Sequence, residues 1–215
     1  MTCYPFCGLG PYLSIYICMD HIHPIFDRIL SREDKETLLK QRAKVVWLTG
    51  LSGSGKSTIA QAVERELHTQ GYLTKLLDGD NIRVGLSNNL RFSVEDRREN
   101  IRRIAEAAKL FLDGGIICLC SFVSPTREIR DLARQIIGPE DFLEVYVNAP
   151  IEVCEARDVK GLYAKARAGE IKQFTGIDSP FEAPETPFLE IKTDEQDLPQ
   201  SVQTLVERLT PHVVS

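Results

Sequence analysis

An α/β fold, with a parallel five-stranded sheet covered by helices on both faces, is what this sequence predicts, and three observations predict it. Short apolar runs alternate with longer segments of helical periodicity from residue 45 onward. A glycine-rich stretch, Gly50 to Gly55, stands between the first apolar run and the first helical segment. The chain has 215 residues, 43% hydrophobic and 27% charged, which suits one domain with a sizeable core.

The elements follow in order. Residues 20–43 read as a helical lead-in, with Ser31 as N-cap before acidic Glu33 and Asp34. Val45 to Leu48 is the first strand, and a helix runs from near Lys56 to about Gln70, stopped by Gly71. Thr74 to Leu77 is the second strand, closed by Asp78-Gly79-Asp80, and residues 81–92 are turn-rich. Ser93 to Asp96 carries a capping-box pattern and opens a long helix whose apolar face is Ile101, Ile104, Ala105, Ala108 and Leu112. Gly114-Gly115 ends it, and Ile116 to Cys120 is the third strand. A helix over 127–137, a strand over 142–147, a helix over 151–157, a strand over 188–191 and a helix from Leu198 to about Leu209 complete the pattern. Alternation of this kind places ligands at the carboxyl ends of parallel strands.

Residues 1–18 stand apart, with three cysteines, three tyrosines, two prolines and no charge. They lack the basic start and long apolar core of a signal peptide, and the length of a membrane span. The only methionines are Met1 and Met19. The expectation is a native start at Met19, a non-native or disordered extension over 1–18, and a single domain over 19–215. His21 and His23, with no carboxylate or cysteine partner nearby, do not make a metal site. A net charge of −5 disfavours general binding to nucleic acid or an anionic membrane. Six cysteines without a C-x-x-C pair read as free thiols in a reducing cytoplasm.

Gly50-Leu51-Ser52-Gly53-Ser54-Gly55-Lys56-Ser57 fits the G-x-x-x-x-G-K-[ST] phosphate-binding pattern, and it has the strand before it and the helix after it that the pattern requires. This makes the fold a P-loop three-layer one. The loop's N–H groups and the helix dipole suit a triphosphate, Lys56 the β- and γ-phosphates, and Ser57 an Mg²⁺ ion. Asp78 and Asp80, at the second strand's end, suit a hydrated Mg²⁺ or the proton of a substrate hydroxyl. Six arginines between residues 81 and 103 face only three acidic residues. Arg97 and Asn100 share one face of the long helix, with Arg83 before them, which suits an anionic acceptor. Phe92 either stacks on a base or packs as a helix staple. Ser121 and Ser124 leave the third strand. The basic, glycine-punctuated stretch over about 158–176 reads as a mobile lid that excludes water.

Together these strings resemble the adenylylsulfate kinases: GLSGSGKST at 50–58, LDGDNIR at 77–83, FSVEDRRENIRR at 92–103, SFVSPTR at 121–127, RDVKGLYAKARAGEIKQFTGID at 157–178 and FEAPE at 181–185. The loop alone is generic; the ordered conjunction, over roughly residues 20–215, is specific. The resemblance implies ATP and Mg²⁺ as cofactors, with γ-phosphoryl transfer to the 3′-hydroxyl of adenosine 5′-phosphosulfate (APS). It implies that Gly50 to Thr58, with Arg157, hold ATP. It implies Lys56, Asp80 and Ser124 as catalytic residues, the last as the serine discussed in that family as a phosphoenzyme site, and Ser57 and Asp80 at the metal. Asp80, Arg83, Phe92, Arg97, Asn100, Lys160 and Phe174 are implied at the acceptor, Phe92 and Phe174 flanking its adenine. A homodimer is also implied. Two positions depart from the family's habit: Arg91 stands where glycine is common, and Thr126 where tyrosine is. A related small-molecule kinase would lack the DGDNIR and FTGID strings. A GTP-dependent switch needs an N-K-x-D motif that is missing here, and a catalytically dead regulator would have lost Lys56, Ser57 or Asp80.

Overall fold

The structure, a computed structural model, describes residues 23–215. The expectations for residues 1–18, for a start at Met19 and for His21 lie outside the described residues. The chain divides into two units, Met1–Leu30 and Ser31–Ser215. In the first, residues 23–30 are exposed and hold a turn in which the Arg28 N–H donates to the Ile25 carbonyl at 2.9 Å.

The second unit opens with α1 (Arg32–Leu39), capped as the sequence predicts: Ser31 accepts from the Asp34 N–H and Asp34 from the Ser31 N–H. There follow β1 (Val45–Thr49), α2 (Lys56–Thr69), β2 (Thr74–Asp78), α3 (Gly79–Val84), α4 (Val94–Asp113), β3 (Ile117–Ser121) and α5 (Arg127–Ile137). Next come β4 (Phe142–Asn148), α6 (Ile151–Arg157), α7 (Leu162–Arg167), β5 (Leu189–Lys192) and α8 (Leu198–Val213). The five strands form one all-parallel sheet in the order β2-β3-β1-β4-β5.

Burial on both sheet faces explains why β1 and β3 read as unbroken apolar runs. Alternate β1 residues divide between two cores. Val45 and Trp47 pack with Ile101, Ile104 and Ala108 of α4 and Ile129 and Ala133 of α5. Val46 and Leu48 pack with Ile59 and Val63 of α2 and Leu205 and Leu209 of α8. The sheet therefore lies between two helical layers, with its carboxyl edge open for the loops.

Three local differences from the sequence reading have physical causes. Residues 81–84, expected within a turn-rich stretch, belong to α3, because the Asp78 carboxylate accepts from the Asp80 N–H and caps the helix. The capping box at Ser93 is half present. Ser93 accepts from the Asp96 N–H at 3.1 Å, but the Asp96 carboxylate reaches past the cap to the Arg91 N–H at 2.9 Å. Finally, α8 continues through Pro211 to Val213, whose buried side chain belongs to the second core.

Candidate active site

The phosphate loop leaves the central strand and turns into α2. Two of its glycines are required by geometry. Gly50 has φ 150°, and a Cβ there would lie 2.3 Å from the Val147 carbonyl oxygen. Gly53 has φ 76°, and a Cβ there would meet the Cys154 carbonyl oxygen at 2.9 Å. Lys56 is buried, and its ammonium donates to the carbonyls of Gly50 at 3.0 Å and Leu51 at 2.7 Å. Its pKa is lowered from the ordinary lysine value to about 8, chiefly by burial; Cys154 and Asp78 oppose the shift and the Lys160 charge contributes to it.

Ser57 Oγ donates to Asp78 Oδ2 at 2.6 Å and lies 3.1 Å from Ser121 Oγ. The sequence reading pairs Ser57 with Asp80; in the structure the carboxylate in contact is Asp78. Asp80 is exposed, and its carboxylate instead forms an ion pair with the Lys160 ammonium. The cause is local. Asp78 ends β2, while Asp80 has already entered α3.

A cavity of about 820 Å³ runs along the carboxyl edge of the sheet, with Lys56, Ser57, Thr58, Asp78 and Asp80 in its wall. Arg83, Phe92, Arg97, Asn100 and Phe174 line one part of it. The Arg83 guanidinium stands 4.3 Å over the Phe92 ring and donates to the Arg91 carbonyl at 3.0 Å. Arg97 donates to the Phe92 carbonyl at 2.9 Å and to Thr175 Oγ1 at 3.0 Å. Burial lowers the pKa of both arginines, and for Arg97 the neighbouring Arg83 charge adds to the shift. Two neighbouring guanidinium groups, one of which lowers the other's pKa, form a field suited to an anion. Asn100 is buried and its Oδ1 has no hydrogen-bond partner. Three of the other four arginines of this stretch are engaged with carboxylates. Arg98 pairs with Glu128, and Arg102 and Arg103 both with Glu99, at 2.7 and 2.8 Å.

The other lobe was only partly visible in the sequence. Arg157 donates to Thr193 Oγ1 at 2.9 Å and to the Thr193 carbonyl at 2.6 Å, and Gln196, Leu198 and Ser201 complete the wall. Thr193 follows β5 directly, so the carboxyl-end rule was the signal that could have found it.

Ser124 has φ 37° and is buried. Its Oγ accepts from Trp47 Nε1 at 3.1 Å and donates to Thr49 Oγ1 at 3.0 Å, while its carbonyl accepts from Arg130 at 2.8 Å. Arg130 in turn holds a buried ion pair with Glu144 at 2.7 Å. The Ser124 hydroxyl is thus fixed within the wall of the site. Thr126, at the N-cap of α5, makes no side-chain cap; the Glu182 carboxylate accepts from the Arg127 N–H at 2.7 Å instead.

Among the described residues no helix is long and apolar enough to cross a membrane, and no three His, Cys, Asp or Glu side chains cluster to hold a metal ion.

Comparison with known proteins agrees with this arrangement. Residues 42–192 match the family described as Adenylylsulphate kinase. The chain is 64% identical to the adenylyl-sulfate kinase of Phocaeicola vulgatus over 194 residues, 90% of this chain and 95% of that one. It is 54% identical to the adenylyl-sulfate kinase of Clostridium acetobutylicum over 185 residues, 86% of this chain and 92% of that one. Among solved structures it resembles the Mycobacterium tuberculosis APS kinase CysC in complex with AMPPNP and APS. There the TM-score is 0.76 and the identity 48%, over 79% of this chain and 98% of that one. A hexameric APS kinase from Thiobacillus denitrificans is similar at TM-score 0.60 and 30% identity, over 80% of this chain and 30% of that one. On its sequence, its fold and the residues gathered at its carboxyl edge, the chain belongs to the adenylylsulphate kinase family.

Proposed function

We propose that this protein transfers the γ-phosphoryl group of ATP to the 3′-hydroxyl of APS, giving ADP and 3′-phosphoadenosine 5′-phosphosulfate. The observation that carries the proposal is the single cavity with a phosphate loop in its wall, a lobe around Arg157 and Thr193 for the donor, and the Arg83–Arg97 pair for an anionic acceptor. ATP lies on Gly50 to Thr58. Lys56, drawn off the loop's own carbonyls, meets the transferring phosphoryl oxygens as charge builds on them. Arg83, Arg97 and Asn100 hold the acceptor nucleotide, Phe92 and Phe174 flank its adenine, and Lys160 closes over the phosphates. Asp80 accepts the proton that leaves the 3′-hydroxyl as the new P–O bond forms and the bond to ADP breaks.

The hydroxyl and carboxylate oxygens of Ser57, Asp78 and Ser121 are a hard donor set of the kind Mg²⁺ takes, so the residues present fit that ion. Ser57 and Asp78 would hold it, Asp80 standing beyond them. When bound, it neutralises charge on the β- and γ-phosphates. Transfer is direct and in line. The Ser124 hydroxyl, tied to Trp47 and Thr49, is not free to take up the phosphoryl group.

The working form is a homodimer, which light scattering tests. A cytoplasmic setting suits the buried free thiols of Cys118, Cys120 and Cys154. The function itself is tested by measuring ADP formation from ATP with and without APS. Turnover that requires APS is expected, and ADP formation indifferent to APS would overturn the reading.

A further inference from the structure

The segment over 158–176 is anchored to the phosphate loop at its middle. Asp158 accepts from the N–H groups of Tyr163 at 3.0 Å and Ala164 at 3.1 Å, which fixes the start of α7. Tyr163, 2% exposed, then lies beneath the loop. Its hydroxyl donates to the Ser52 carbonyl at 2.9 Å, and its ring meets Phe174 edge-on, 5.0 Å between centroids at 78°. Burial raises its pKa, so the hydroxyl stays protonated and remains a donor. Around it lies a third, separate core: Ala149 and Cys154, with Leu51 of the loop and Ile151, Phe174 and Ile177 packed against them. Gly176 passes so close that a Cβ there would lie 3.1 Å from both Leu51 and Ile151 side chains. Within this core one side chain touches both the loop that carries the donor's phosphates and the aromatic wall of the acceptor lobe.

We propose that Tyr163 is a positioning residue with two separable effects: its hydroxyl sets the phosphate loop for the donor, and its ring sets Phe174 for the acceptor. The proposal rests on the reading of the two lobes given above. Tyr163→Phe removes only the hydroxyl and leaves the Ser52 carbonyl without that donor. Tyr163→Leu removes the aromatic edge as well.

The test combines calorimetry of a non-hydrolysable ATP analogue with steady-state kinetics in which ATP and APS are varied separately, on the full chain. Tyr163→Phe is expected to weaken analogue binding about three- to tenfold, the effect of one hydrogen bond, with the KM for APS unchanged. Tyr163→Leu is expected to raise the KM for APS in addition. Analogue binding by Tyr163→Phe equal to that of the unaltered protein overturns the hydroxyl's role. A Tyr163→Leu enzyme that matches Tyr163→Phe in its KM for APS overturns the ring's role. If Tyr163→Leu does not fold, Tyr163→Phe still decides the first, and Tyr163→Met, which fills similar space without an aromatic edge and leaves Phe174 in place, decides the second by the same rise in KM. An unaltered protein whose ADP formation ignores APS would sink the proposed function, while the calorimetric arm would still decide the hydroxyl's role.

Discussion

Ser57 Oγ donates a 2.6 Å hydrogen bond to Asp78 Oδ2, while Asp80, two residues further on, is paired with Lys160. The two carboxylates of one Asp-Gly-Asp stretch therefore serve different sides of the site. Asp78→Asn is expected to shift the Mg²⁺ dependence of activity to higher concentration, and Asp80→Asn to leave that dependence in place while lowering kcat by about 10²- to 10⁴-fold, the range of a lost general base. Magnesium titrations of both variants check this. Equal shifts in Mg²⁺ dependence would show that the carboxylates do not divide the work.

Lys56 carries a pH prediction. Its pKa is lowered to about 8, so the ammonium is fully charged below that pH and neutral well above it. A triphosphate needs the charged form and stabilises it. Affinity for an ATP analogue should be full below about pH 8 and fall by up to about tenfold per unit above it, with binding accompanied by proton uptake. Calorimetry in buffers of differing ionisation enthalpy reads that uptake directly. Lys56→Ala should abolish the pH dependence and lower kcat by about 10²- to 10³-fold. Constant affinity of the unaltered protein from pH 7 to 10 would contradict the assignment.

Arg97 lines the part of the cavity proposed for the acceptor and also donates to Thr175 Oγ1 at 3.0 Å. Arg97→Ala should raise the KM for APS by about ten- to a hundredfold, the loss of one charge-assisted contact, with little change in the KM for ATP. An unchanged KM for APS would move the acceptor elsewhere in the cavity. Arg102→Ala makes a useful control, because Arg102 is bound to Glu99 on the outer side of α4.

Ser124→Ala should remain a working kinase. The substitution removes a buried hydroxyl that bonds Trp47 and Thr49, so a loss of about 1–3 kcal/mol in stability is expected, with transfer retained. Mass spectrometry of the unaltered protein after incubation with ATP should show no phosphate on Ser124. A folded Ser124→Ala protein with no transfer at all would restore a phosphoenzyme.

The sheet was legible because the buried strands are apolar on both faces and the helices carry a single apolar face. The phosphate loop was legible because its backbone needs glycine at Gly50 and Gly53, where the structure leaves no room for a Cβ. Other features depend on distances no local pattern records. Asp78 and Asp80 have the same chemistry two residues apart, and only the end of β2 separates them. Thr193 and Arg157 meet across 36 residues, and Tyr163 and Ser52 across 111. Glu99, by contrast, lies three and four residues before Arg102 and Arg103, a helical spacing that marks those two arginines as mutually occupied with it.

The strand order places the three parts of the site on strands of unequal rank. The phosphate loop leaves β1, which is hydrogen-bonded on both sides, whereas Asp78 ends β2 and Thr193 follows β5, the two outermost strands. Outer strands open by fluctuations smaller than global unfolding, and central ones do not. Amide exchange should therefore be slowest in Val45–Thr49 and faster in Leu189–Lys192 and Thr74–Asp78. Under mild denaturant the protein would loosen Asp78 and the Arg157–Thr193 lobe while the phosphate loop on β1 still stood, so that cooperativity in this enzyme is set from the rims of the sheet inward.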